Sequence, residues 1–380
     1  MLKNISQVRY SQKVKYFLKN TIGWKTKRKI VALSVDDYGN VRVASKQARL
    51  NMDSDGLPVT NRFDYYDSLE NKDDLMGLYD ALSSVKDVNG NHAVFSAFSL
   101  PANIDFEAME RENYQEYRYE LLPDTFSKLS GYAGVFDLWK QGITEKLIVP
   151  EFHGREHLNI KLLMFLLERR DKEVLSCFRN RSYTSITSTP FNDITYPAAF
   201  SFDKYEENSH LESVIQDGLR CFENVFGVKS QHFTSPTMSE NVVLHKALRE
   251  KGISYIDAPM IKTEHQGEGL YKKSFHYTGQ SNSNKQRYVV RNCIFEPNSN
   301  KSIDWVAYCL EQIGYSFMLN RPANISSHRV NFCGNIDSKN REEGLAQLKQ
   351  LLRGIVKLWP DVEFMSTAEM MSSLSQIRNS

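Results

Sequence analysis

Lys29-Ile30-Val31-Ala32-Leu33-Ser34-Val35-Asp36-Asp37-Tyr38-Gly39-Asn40 is the stretch that decides the fold. Residues 29–35 form the short, almost continuous apolar run that a strand buried on both faces requires. The run stops at two adjacent carboxylates. Parallel α/β folds place their active sites at the carboxyl ends of such strands, and neighbouring carboxylates repel unless a cation or a proton is shared between them. Asp, Gly and Asn are also turn formers, so Asp36 to Asn40 spells an Asx turn equally well, and alone the stretch leaves both readings open.

Similar apolar runs recur at residues 92–98, 146–152, 231–234, 253–256, 323–326 and 362–365. Between them, residues 73–85, 159–169, 211–226, 241–251, 303–313 and 342–358 carry helical periodicity. Strands alternating with helices imply parallel pairing and right-handed crossovers. The expected fold is α/β, a distorted (β/α) barrel of about seven parallel strands. Residues 179–204, rich in Ser, Thr and Pro, and 262–300, polar with several Gly and Asn, break the rhythm and are read as loops or hairpins inserted at the barrel rim. The expected organisation is a basic arm over 1–28 followed by one catalytic domain over 29–380.

Composition excludes several classes. With 41% hydrophobic and 25% charged residues in a chain of 380, disorder and fibrous repeats are out. No run approaches the roughly 20 apolar residues of a membrane span, and no secretory leader pattern opens the chain, so the expected compartment is the cytoplasm. The five cysteines, Cys177, Cys221, Cys293, Cys309 and Cys333, are widely spaced with no C-x-x-C pair, and buried reduced thiols are expected. Residues 1–29 hold nine Lys or Arg and no acid, interleaved with Val8, Tyr10, Val14, Tyr16, Phe17 and Leu18. This arm reads either as a solvated tail or as a peripheral contact with anionic lipid or a lipid-linked substrate. No basic stripe with interleaved aromatics recurs downstream, so nucleic acid is not an expected partner.

His153 and His157 follow the run ending at Phe152. Four residues apart, they would share one face of a helical turn and grip a single ion. Two histidines and a carboxylate, with positions open to water, make a catalytic rather than a structural centre. The literal string His153-Gly154-Arg155-Glu156-His157 also spells the H-x-x-E-H of a metallopeptidase. In that class the motif lies inside a helix. Here Pro150 and Gly154 bracket the first histidine and favour a strand-to-helix loop, and the peptidase reading leaves Asp36 and Asp37 idle.

Taken together, these motifs resemble the polysaccharide deacetylases of the NodB-homology class, carbohydrate esterase family 4. Ser34-Val35-Asp36-Asp37-Tyr38-Gly39 looks like the first motif with one residue inserted before the Gly, and His153 and His157 match the second. Phe233-Thr234-Ser235-Pro236 and Gly252-Ile253-Ser254-Tyr255-Ile256-Asp257-Ala258-Pro259 look like the third and fourth, and Ile325-Ser326-Ser327-His328 like the last. The resemblance implies that Asp37, His153 and His157 hold a divalent metal, zinc in first place with cobalt, nickel or manganese as alternatives. It implies further that Asp36 is the general base and His328 the general acid. Where the third motif carries an Arg that pairs with the fourth-motif Asp, this chain has Thr234, and Thr237 replaces the aromatic that follows. Arg155 and Arg329 are then the candidates to supply the charge opposite Asp257, and a backbone N–H near Thr237 to receive the oxyanion.

The activity so implied is metal-dependent hydrolysis of acetyl groups, N-acetyl before O-acetyl, from a saccharide such as a nucleotide-linked or lipid-linked precursor. A non-catalytic saccharide binder, with turnover lost through the altered third motif, is the rival from another class. Tyr114, Tyr117, Tyr119, Tyr183, Tyr196 and Trp305 are candidates to stack on sugar rings, although aromatics more often serve a core. Of the remaining histidines only His232, one residue before the third motif, invites a test.

Overall fold

A computed structural model describes residues 10–57, 59–187 and 190–376. Its main sheet has nine strands, numbered here in chain order: β1 Lys29–Tyr38, β2 Phe95–Ser99, β3 Ile148–Phe152, β4 His232–Phe233, β5 Tyr255–Asp257, β6 Arg287–Val289, β7 Cys293–Ile294, β8 Ala323–His328 and β9 Val362–Phe364. Their order is β6-β5-β4-β3-β2-β1-β8-β7, every pairing is parallel, and β9 joins the first residues of β1. The two edge strands, β6 and β7, are consecutive in the chain. Residues 290–292 therefore cross the seam of a distorted barrel as covalent backbone.

Seven of these strands coincide with the apolar runs. The other two, β6 and β7, lie in the segment 262–300 that its polarity marks as an insertion, alongside the antiparallel hairpin of Ile261–Gly267 and Leu270–Phe275. Residues 182–187 and 190–203 run without helix or strand, and Asn159 ties this loop down by donating to the carbonyls of Ala198 and Ser201.

Alternation along β1 sets the layers. Val31, Leu33 and Val35 pack outward against the helices Lys72–Ser83 and Ser338–Leu358, joining Leu75, Leu78, Leu82, Leu345, Leu348 and Leu352 in one core. Ile30 and Ala32 point the other way and meet Tyr255, Val289, Met370 and Met371, so the helix Thr367–Gln376 fills one end of the barrel. Higher in the lumen the residues turn polar: the Ser34 hydroxyl donates to Asn324 at 2.7 Å, and the Thr367 N–H donates to Ser96 at 2.8 Å. The apolar floor leaves the opposite, carboxyl-end rim for chemistry.

The helix Tyr10–Lys19 of the basic arm docks across the seam. Tyr16 meets Tyr308 edge-on and Phe17 meets Tyr315, Lys13 pairs with Glu311 at 3.1 Å, and Asn292 donates to Asn20 at 2.6 Å. Residues 1–9 of the arm lie outside the described residues. No described helix is long and apolar enough to cross a membrane.

Candidate metal centre and active site

Register brings the motifs together. In the β1–β8 ladder Asp36 is the partner of His328; Ser99 pairs with Phe152, placing His153 just beyond; Val289 pairs with Asp257, placing Arg291 just beyond. Asp36, His153, Asp257, Arg291 and His328 thus meet on one rim, where they line a cleft of about 470 Å³.

Successive residues on a strand face opposite sides, yet Asp36 and Asp37 both serve this cleft. The ladder to β2 slips between Val35 and Tyr38, and Asp37 takes φ +78°, a left-handed conformation costly for a residue with a Cβ. Gly39 follows at φ +81°, where an added Cβ would lie 2.4 Å from the Leu100 carbonyl oxygen. The turn is held from below. The Gly39 N–H donates to both oxygens of buried Glu70 at 3.1 and 3.2 Å, and Asn103 donates to the Gly39 carbonyl at 2.9 Å while accepting from the Val41 N–H at 2.8 Å. Trp139 and Arg329 also donate to Glu70, at 3.0 and 2.9 Å.

Asp37 Oδ1 lies 3.4 Å from His153 Nε2 and 3.2 Å from His157 Nε2, and all three residues are buried. His153 Nδ1 sits 2.7 Å from the Thr234 carbonyl, which can only accept, so the ring proton belongs on Nδ1. That leaves the Nε2 lone pair, buried and without a hydrogen-bond partner, facing a carboxylate. Two acceptors aimed at one point fit a cation. The donor set, two imidazoles and one carboxylate with ligating atoms within 4.8 Å of one another, suits a divalent ion with positions left for water. The histidines converge through a loop and not through a helical turn: Gly154 takes φ +124°, and the next helix, Ile160–Glu168, starts only after His157. Glu156, the residue a metallopeptidase would need as base, instead accepts from Arg155 at 2.7 Å and from Tyr117 at 3.2 Å.

The charge opposite Asp257 comes from a residue that the motifs did not single out. Arg291, on the seam-crossing segment, donates from Nη1 and Nη2 to the two oxygens of Asp36, both at 2.7 Å, and from Nε to Asp257 at 2.8 Å. Thr234, standing where the family's third motif has Arg, donates to Asp257 and accepts from Arg291 Nη2 at 3.0 Å. Buried His232 lies behind, with Nδ1 2.8 Å from the Thr367 hydroxyl and Nε2 3.4 Å from Asp257. Burial disfavours the Asp257 carboxylate, yet Arg291 and then His232 hold its pKa down. Arg155 and Arg329 do not take this role: the first binds Glu156 and Asp217, the second is buried against Asp67 and Glu70, and neither lines the cleft.

His328 keeps 31% of its side chain exposed to the cleft and turns Nε2 toward Asp36 at 3.8 Å. Its Nδ1 lies 2.6 Å from Glu296, which also accepts from Asn331 at 2.7 Å. Burial disfavours the imidazolium, but Glu296, then Asp36 and Asp37, push its pKa up to about 9. Burial likewise opposes the Glu296 carboxylate, and His328 and Arg62 bring it down to about 2. Glu296 was not singled out in the sequence. The available signal was an apolar run, Cys293-Ile294-Phe295, ending in a carboxylate, the same signature as β1. Thr237 lines the cleft at φ +57°, followed by Met238 at +56°. The aromatic walls are Tyr16 and Phe63, the latter edge-on to His328 at 5.3 Å. None of the six aromatics proposed for sugar stacking lines the cleft.

No family model matches the sequence, and no curated protein matches it. Among solved structures, a protein from Mycobacterium smegmatis assigned as a polysaccharide deacetylase is 11% identical, with 94% of each chain covered and a TM-score of 0.44. A second so assigned, from Pseudomonas aeruginosa PAO1, is 9% identical over 91% of each chain, with a TM-score of 0.46. Puue allantoinase is 11% identical, over 92% of this chain and 91% of that one, at 0.47. These three scores lie below 0.5, and the functional reading rests on the geometry of the site.

Proposed function

We propose that this chain is a metal-dependent hydrolase that removes acetyl groups, N-acetyl in the first instance, from a saccharide. One observation carries the reading: two adjacent carboxylates with divided tasks, Asp37 turned to two histidines and Asp36 clamped by Arg291 directly across the ladder from His328. Asp37, His153 and His157 would hold a divalent ion, which when bound would supply Lewis acidity and a lowered water pKa. Asp36, oriented by Arg291, takes the proton of the attacking water. A backbone N–H of the Thr237 turn donates to the developing oxyanion. His328, oriented by Glu296, gives its Nε2 proton to the departing amine.

A non-catalytic reading drew its support from the missing third-motif arginine, and Arg291 supplies a charge opposite Asp257 from the seam-crossing segment. The peptidase reading loses its base to the Arg155 and Tyr117 contacts of Glu156. Acetate release from a panel of N- and O-acetylated oligosaccharides by the zinc-loaded protein tests the proposal. Wild type is expected to release acetate, Asp36→Asn to keep its metal while losing turnover, and His153→Ala to lose both. Full activity in Asp36→Asn would refute the base assignment.

A further inference from the structure

The cations around the cleft are almost all matched to acids. Arg42 pairs with Asp64 at 3.1 Å, Arg291 with Asp36 and Asp257, and His328 with Glu296. Lys19, from the docked N-terminal helix, is the exception: it lines the cleft, and among the described residues it has no carboxylate partner. Its Nζ donates to the Arg291 carbonyl at 2.9 Å and sits 4.8 Å from the centre of the Tyr16 ring. Tyr16 lines the same wall, and its hydroxyl makes no hydrogen bond to any described residue. A half-buried ammonium beside a free phenol is a costly arrangement for a cleft that receives only neutral sugars. It has donors to spare for an anion.

We propose that Lys19 and Tyr16 form an anion subsite, and that the acetylated saccharide taken by this cleft carries a phosphoryl group. This rests on the deacetylase reading and names its substrate class. A lysine is a point charge with three rotatable donors and a standard phosphate ligand, and an arginine fork fits phosphate as well as carboxylate. The group can arrive on a soluble sugar phosphate or at a lipid headgroup. The second source fits the arm's surface, where Val14 and Leu18 lie exposed on the helix among lysines and Ile22 lies exposed in the turn beyond its end.

The test uses the zinc-loaded full chain as wild type, Lys19→Gln and Lys19→Arg, with acetate release measured on three substrates. These are a neutral N-acetylhexosaminide, its 1-phosphate, and the same sugar linked through diphosphate to a polyprenyl lipid in phosphatidylcholine vesicles. Wild type is expected to prefer a phosphorylated substrate by about tenfold or more in kcat/KM. Lys19→Gln is expected to erase that preference through KM, and Lys19→Arg to retain most of it. Preference for the lipid-linked form identifies a headgroup as the source; preference for the 1-phosphate identifies a soluble ligand. No preference in wild type, or an equal loss on all three substrates in Lys19→Gln, would overturn the subsite and leave Lys19 as a structural clamp on Arg291. Calorimetric binding of the sugar 1-phosphate separates the two readings. Lys19-dependent binding without acetate release sinks the deacetylase and keeps the subsite; acetate release with Lys19-independent binding does the reverse.

Discussion

Asp36 and Asp37 are chemically identical and one peptide bond apart, and only their neighbours distinguish them. Asp37 faces two imidazoles, Asp36 a guanidinium. The fork of Arg291 is the part that lysine cannot imitate, since it grips both oxygens of Asp36 while its Nε holds Asp257. Arg291→Lys is therefore expected to lower kcat by about 100-fold while metal content, measured by elemental analysis, stays at the wild-type level. The acid side has its own signature. With its pKa pushed up to about 9, His328 is an imidazolium below that pH and loses its proton as pH rises through it, so activity is expected to fall on the basic side. A bound dication moves this limb lower. Glu296→Gln removes the main attraction holding the proton and is expected to shift the limb of the kcat profile further toward acid. An unmoved limb would remove His328 from the acid role. The clustering of Asp37 with His153 and His157 was legible in the sequence because Asp36-Asp37 and His153 directly follow short apolar runs. Arg291 was not, because its position is set by β6 and β7, strands of three and two residues that carry almost no periodic signal.

At the scale of elements, the end of β1 is where strain is stored. Left-handed Asp37, the bulge against β2 and the Gly39 turn let two successive side chains reach one cleft, and Glu70 and Asn103 hold that backbone in place. Gly39→Ala meets both a positive φ and the Leu100 carbonyl, and is expected to cost about 2–3 kcal/mol, read as a lower urea midpoint at unchanged slope. A wild-type midpoint would show that the turn relaxes freely. Local chemistry announced this turn, since Asp-Asp-Tyr-Gly-Asn is rich in turn formers. The four-residue spacing of the histidines misled in one respect. It suggested a helical turn, whereas Gly154 at φ +124° brings the rings together through a loop.

Over the whole molecule, nine parallel strands leave one rim for chemistry because the Thr367–Gln376 helix occupies the other end. The barrel class followed from the alternation of strands and helices. Its seam did not, because the polarity of 262–300 masked two sheet strands, and what crosses the seam is fixed by long-range packing of Asn20, Asn292 and Asn324. An ion that binds the folded state alone stabilises the whole barrel. Chelation is expected to lower Tm by about 3 °C when free metal stood at roughly 100 times its Kd, and to leave a His153→Ala variant unmoved. The most direct test of the centre is an anomalous-difference map from zinc-grown crystals, recorded at the zinc edge. One peak is expected about 2.0–2.3 Å from an Asp37 carboxylate oxygen and from Nε2 of both His153 and His157. A peak that leaves out Asp37, or no peak between these side chains, would contradict it.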